Sequence, residues 1–105
     1  MATATNEGMM IARRYVEELR RQNIQIQSAI LFGSHACGLA REWSDIDIAL
    51  VSGDFIGNPL IDIQKIARAT WTVDSRIEPK TFRPEEFNDE DFFVHEILRT
   101  GVKIA

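Results

Sequence analysis

Apolar positions recur along this chain at two periods, and each change of period marks an element. Ala12, Tyr15, Val16 and Leu19 repeat at the spacing of one helix face. They predict a helix to about Gln22, with Thr5 or Asn6 as its cap. Arg13, Arg14, Glu17, Glu18, Arg20 and Arg21 form its wetted face, where Glu17 and Arg21 stand in the favourable i,i+4 order. Ile24 to Phe32 then reads as a first strand and Asp45 to Ser52 as a second. In the second strand Ile46, Ile48 and Leu50 point one way, and Asp45, Asp47 and Ala49 the other. Ser52-Gly53-Asp54 and Gly57-Asn58-Pro59 are turn signals. Asn58 as cap and Pro59 at the first helical position open a second helix over about 59–70. Its core stripe is Ile63, Ile66, Ala67 and Thr70. Thr72 to Thr81 predicts a third strand, with Pro79 at a sheet edge because proline cannot donate to a ladder. Asp89, Glu90 and Asp91 place negative charge at the start of a last helix, which carries Phe93, Val94, Ile97 and Leu98 and stops at Gly101. Val102 to Ile104 adds a short final strand. The fold class predicted is α+β, a small mixed sheet with helices packed on one side.

Composition narrows the picture. At 105 residues the chain reads as a single domain, 1–105. Its 45% apolar and 27% charged residues are ordinary for a globular protein. A net charge of −4 lacks the electrostatic footprint of a general nucleic-acid binder. Cys37 is the one cysteine, which excludes an internal disulfide and points to a reducing compartment. No apolar run approaches the ~18 residues of a membrane span. The opening MATATNEG lacks the basic and apolar regions of a signal peptide. The expected location is the cytoplasm.

The candidate chemistry lies between Ile30 and Val51. Asp45 and Asp47 share a strand face, roughly 6–7 Å apart. Two carboxylates so placed repel unless a cation sits between them, and hard oxygen ligands suit Mg²⁺. Gly33-Ser34 follows an apolar strand. Glycine lets a backbone approach a phosphate closely, and the Ser34 hydroxyl adds a donor. Read alone, each pair has a plainer explanation, a tight turn for one and solvated acids for the other. Asp74 and Glu78 share parity on the third strand and are both candidates for a third carboxylate, with pairing to Arg76 or Lys80 as the plain alternative. Cys37, in a short helix after the turn, lacks the partner a catalytic thiol needs. His35 reads as loop filler or a phosphate contact, and His95 as structural or exposed. Trp43 and Trp71 are expected to pack, with Trp43 close enough to Asp45 to rim a site.

Taken jointly, Gly33-Ser34, a ten-residue spacer, Asp45, one residue, Asp47 and a later strand carboxylate resemble the DNA polymerase β-like nucleotidyltransferase superfamily. Within it, FGSHACGLAREWSDIDIALV, including Ala36 and Gly38, and the later RIEPKTFRPEEF are similar to the minimal nucleotidyltransferases, the MNT family. By this resemblance Gly33 and Ser34 hold the triphosphate of ATP, and Asp45 and Asp47 bind Mg²⁺, as a pair of ions. The third metal ligand maps onto Glu78, with Asp74 as its rival. Lys80 or Arg76 assists with the triphosphate.

The resemblance implies in-line transfer of an NMP group, AMP from ATP, to an acceptor. Larger relatives add a helical domain that grips base and acceptor, and nothing in this chain does so. The expected complement is a partner, and small relatives of this kind pair with all-helical HEPN proteins as antitoxin and toxin. Phe92, Phe93 and the acidic run Glu85 to Asp91 read either as that interface or as core aromatics beside a solvated loop. Other readings stay open: an antitoxin that binds by occlusion without catalysis, or a transferase acting on a small molecule. RNA fits the acidic charge poorly. The oligomeric state, homo- or hetero-oligomer, is not decided by sequence.

Overall fold

The computed structural model describes residues 4–105. Positions 1–3 of the opening segment lie outside the described residues. The first helix, α1, spans Asn6–Arg21 and is capped by Thr5, whose side chain accepts from the Gly8 N–H at 3.0 Å. Its buried face holds Ile11, Ala12, Tyr15, Val16 and Leu19, the predicted stripe extended by one residue. The expected Glu17–Arg21 pair is replaced by Glu18–Arg21, one residue closer along the helix.

Strand β1 covers Ser28–Phe32, shorter than the predicted Ile24 start. After α1 the chain turns through Asn23 at φ 65°, and Ile24 donates back to the Leu19 carbonyl at 3.0 Å. Ile24 and Ile26 are still buried in the core. Their alternation comes from burial in an extended segment that makes no ladder. Strand β2 is Ile46–Val51 and α2 is Pro59–Val73. The Asn58 side chain caps α2, accepting from Leu60 and Ile61 N–H groups. The helix runs past residue 70 and takes in Thr72 and Val73, so strand β3 starts only at Ile77 and ends at Phe82. Helix α3 covers Phe92–Thr100, with the Asp91 side chain accepting from the Val94 N–H. Strand β4 is Val102–Lys103. No helix among the described residues is long and apolar enough to cross a membrane.

The sheet runs β3-β2-β1-β4. β1 is antiparallel to β2 and β4, and β2 is parallel to β3. Two parallel neighbours need a crossover, which α2 supplies. Pro79 sits on the edge strand, as expected.

Alternation divides the sheet into two faces. Ala29, Leu31, Ile46, Ile48, Leu50 and Ile77 face α1 and α2 in the main core. Ile30 and Ala49 face the other way, against Ile97 of α3, with Phe32, Phe82 and Phe87 packed around them. The two long helices share one face, whereas the pattern predicted every helix on one side; Ile30 and Ala49 leave an apolar patch on the second face that α3 covers instead. The short helix α3 covers part of the opposite face. Its apolar residues are few, and the sheet's second face is only partly apolar, so this core is small.

Candidate active site

β1 ends at Phe32 and the chain turns through a single 3₁₀ turn, Gly33–His35. Gly33 adopts φ 73°, a left-handed conformation open to glycine. A Cβ there would also collide with Asp47 Oδ2. The register explains this closeness. Phe32 is the antiparallel partner of Asp47, and Asp47 is the parallel partner of Glu78. Since Ile46 and Ile77 are paired and both enter the main core, Asp47 and Glu78 project together from the opposite face. Asp45 lies just before β2, exposed.

The electrostatics are those of crowded acids. Asp47 is partly buried, and its carboxyl is pushed above the ordinary range, first by burial and then by the charges of Asp45 and Glu78. Lys80 and His35 pull it back in part. Glu78 is exposed and lies 4.0 Å from the Lys80 ammonium. Among the described residues, no group of three or more His, Cys, Asp and Glu side chains is arranged to hold a metal. The donor set still fits a hard divalent cation: carboxylate oxygens only, with the charge at Asp47 crowded by Asp45 and Glu78 and only partly offset by Lys80 and His35.

Asp74 is not part of this group. It is the C-cap of α2 rather than a strand residue, so it shares no strand face with Glu78. Its carboxylate accepts from the Arg76 backbone N–H at 2.8 Å and from Arg76 Nη2 at 3.0 Å. Arg76 also pairs with Glu7 at 2.6 Å. That guanidinium ties the ends of α1, α2 and β3 together and is committed away from a phosphate. Lys80, one step beyond Glu78 on the same strand face, is the cation beside the acids.

Two further sequence readings change. His35 is not loop filler. It is 3% exposed, its carbonyl accepts from the Thr5 N–H at 2.8 Å, and its Nδ1 lies 2.8 Å from Thr5 Oγ1. The Gly33–His35 turn is thereby pinned to the start of α1. Thr5 carried a sequence signal as a cap, but nothing in the chain marked its bond to a residue thirty positions away. Trp43 and Trp71 were expected to pack, yet they are 83% and 74% exposed. Both lie where no apolar layer covers them, Trp43 on a loop and Trp71 on the outer side of α2. Cys37 follows the turn, half-buried, with its Sγ donating to the Ser34 carbonyl at 3.6 Å. His95 is exposed on α3.

Residues 15–105 match the family described as polymerase beta, nucleotidyltransferase, and the chain belongs to that family. Solved structures share the fold. A protein of Sulfolobus solfataricus assigned as a nucleotidyltransferase is similar at TM-score 0.66 and 19% identity, over 92% of this chain and 78% of that one. A toxin–antitoxin structure with AMP-PNP is similar at TM-score 0.64 and 22% identity, over 96% and 73%. A mutant of the toxin–antitoxin MntA-HpeT is similar at TM-score 0.59 and 19% identity, over 86% and 68%. No curated protein matches.

Proposed function

We propose that this protein is a Mg²⁺-dependent nucleotidyltransferase that moves AMP from ATP to a hydroxyl of a helical HEPN-type partner, as the antitoxin of a toxin–antitoxin pair in the cytoplasm. The observation that carries the reading is the row Phe32–Asp47–Glu78, with Gly33 held beneath the Asp47 carboxylate. Asp45, Asp47 and Glu78 would hold the metal, which when bound offsets triphosphate charge and makes the acceptor hydroxyl easier to deprotonate. Gly33 and Ser34 bind the triphosphate, Gly33 by close backbone approach and Ser34 through its hydroxyl. The acceptor oxygen bonds to the α-phosphorus as the bond to the bridging oxygen breaks, and pyrophosphate leaves. Glu78, the exposed acid on the edge strand, takes the acceptor's proton. Lys80 contributes a positive charge beside the phosphates. Positioning and electrostatics supply the rate.

The toxin–antitoxin neighbours, one with AMP-PNP, support the nucleotide and the partner class. Incubation with labelled ATP, Mg²⁺ and the protein encoded beside this one is expected to label that protein. Labelling that persists in Asp47→Asn removes the metal assignment. Tight complex formation without transfer replaces the enzyme with an occluding antitoxin.

A further inference from the structure

An apolar groove of about 270 Å³ runs along the free edge of β3, walled by Ile63, Pro79, Lys80, Phe82 and Phe93. It borders the carboxylate face. On β3, Glu78, Lys80 and Phe82 alternate to the same side, so Lys80 stands between the acid row and the aromatic wall. Phe93 links the two. Its ring meets Phe32, the strand partner of Asp47, edge-on at 5.9 Å and 82°. It also lies 6.5 Å from the Phe82 ring at 38°. Although gripped by two aromatic neighbours, Phe93 remains 46% exposed. Phe93 thus touches two aromatic neighbours while part of its side chain stays open beside the groove.

The edge strand itself limits the occupant. Addition of a β-strand is opposed by Pro79, which lacks an N–H in the middle of the edge strand. The lining is mostly apolar and aromatic, which suits a flat heteroaromatic ring, and a phosphate chain attached to it would pass Lys80 on its way to the glycine turn.

We propose that Phe93 is the stacking surface for the base of the nucleotide substrate, with the β3 groove as the base pocket. The proposal rests on the transferase reading, and it assigns the base a place this chain supplies without a further domain. Stacking of this kind tolerates any base, because every base has a π-face.

Equilibrium binding of two probes in Mg²⁺, AMP-PNP and inorganic tripolyphosphate, tests it. Tripolyphosphate carries the phosphates without a base. Phe93→Leu keeps apolar bulk against Phe32 and Phe82 but removes the aromatic face, and Phe93→Tyr restores it. Phe93→Leu is expected to weaken AMP-PNP by about 5- to 100-fold, to leave tripolyphosphate unchanged, and to be rescued by Phe93→Tyr. Equal binding of AMP-PNP by parent and Phe93→Leu overturns the base pocket while leaving the transferase reading intact. So does a parallel loss of both probes in Phe93→Leu. A parent protein that binds neither probe overturns the transferase reading and the pocket with it.

Discussion

The Asp47 carboxylate occupies the space where a Cβ of residue 33 would stand, so Gly33 and Asp47 are complementary in shape as well as adjacent. The left-handed φ of 73°, which a side chain would strain, adds a second reason for glycine. Gly33→Ala is therefore expected to cost more than about 1 kcal/mol of stability, because the alanine must adopt a left-handed backbone and displace Asp47. Denaturant melts measure the first effect. Loss of AMP-PNP binding measures the second. A variant with unchanged stability and affinity would mean the turn relaxes freely.

Asp47→Asn separates the acid's two roles. Burial beside Asp45 and Glu78 makes its charge unfavourable without a cation. The asparagine variant is expected to melt higher in metal-free buffer at pH 7, by about 2–4 °C, a shift matching roughly 0.5 kcal/mol. It is also expected to lose the upward shift that Mg²⁺ with AMP-PNP gives the parent, since binding to the native state alone raises its melting temperature. Thermal melts with and without Mg²⁺ check both signs.

Glu78 and Asp74 are told apart by transfer assays. Glu78→Gln, altering the acid in register with Asp47, is expected to lower AMP transfer by roughly 100-fold or more. Asp74→Asn, altering a carboxylate bonded to Arg76, is expected to leave transfer nearly intact at temperatures well below its melt. The reverse order would return the third acid to Asp74.

Asp74 instead carries a pH dependence of stability. Hydrogen bonds from Arg76 hold its carboxyl below the ordinary 3.8 in the folded state. A carboxyl with a depressed folded pKa stabilises fully above its unfolded value, and that stability is lost as pH falls through the folded value. Parent protein is expected to exceed Asp74→Asn by about 1 kcal/mol at pH 7, with the gap closing below pH ~4. Chemical denaturation of both proteins across this range measures it.

Asp62 makes the sharpest stability prediction. It is 2% exposed, and its two oxygens accept from the Ile56 and Gly57 N–H groups at 2.9 and 3.0 Å. Asp62→Ala leaves both donors without partners beside the core, at an expected cost of about 2–4 kcal/mol. Urea unfolding gives the value directly, and a loss under 1 kcal/mol would show that water replaces the carboxylate.

The local elements and the acid–glycine pattern were legible in the sequence because they depend on short-range chemistry. The stripe Ala12–Tyr15–Val16–Leu19, the Asn58-Pro59 start, the Ile46–Ile48–Leu50 alternation and the Gly33-Ser34 turn each follow from residues within a few positions of one another. Long-range pairing decided the rest. Asp74 and Glu78 were equivalent by parity, and only the extension of α2 to Val73 and the parallel register of β2 with β3 put Glu78 beside Asp47 and sent Asp74 to Arg76. The Thr5–His35 bond, the exposure of Trp43 and Trp71, and the packing of α3 on the second sheet face were likewise settled by tertiary contacts. A periodicity states that a side chain faces something. Which distant residue it faces depends on how strands pair and helices cross.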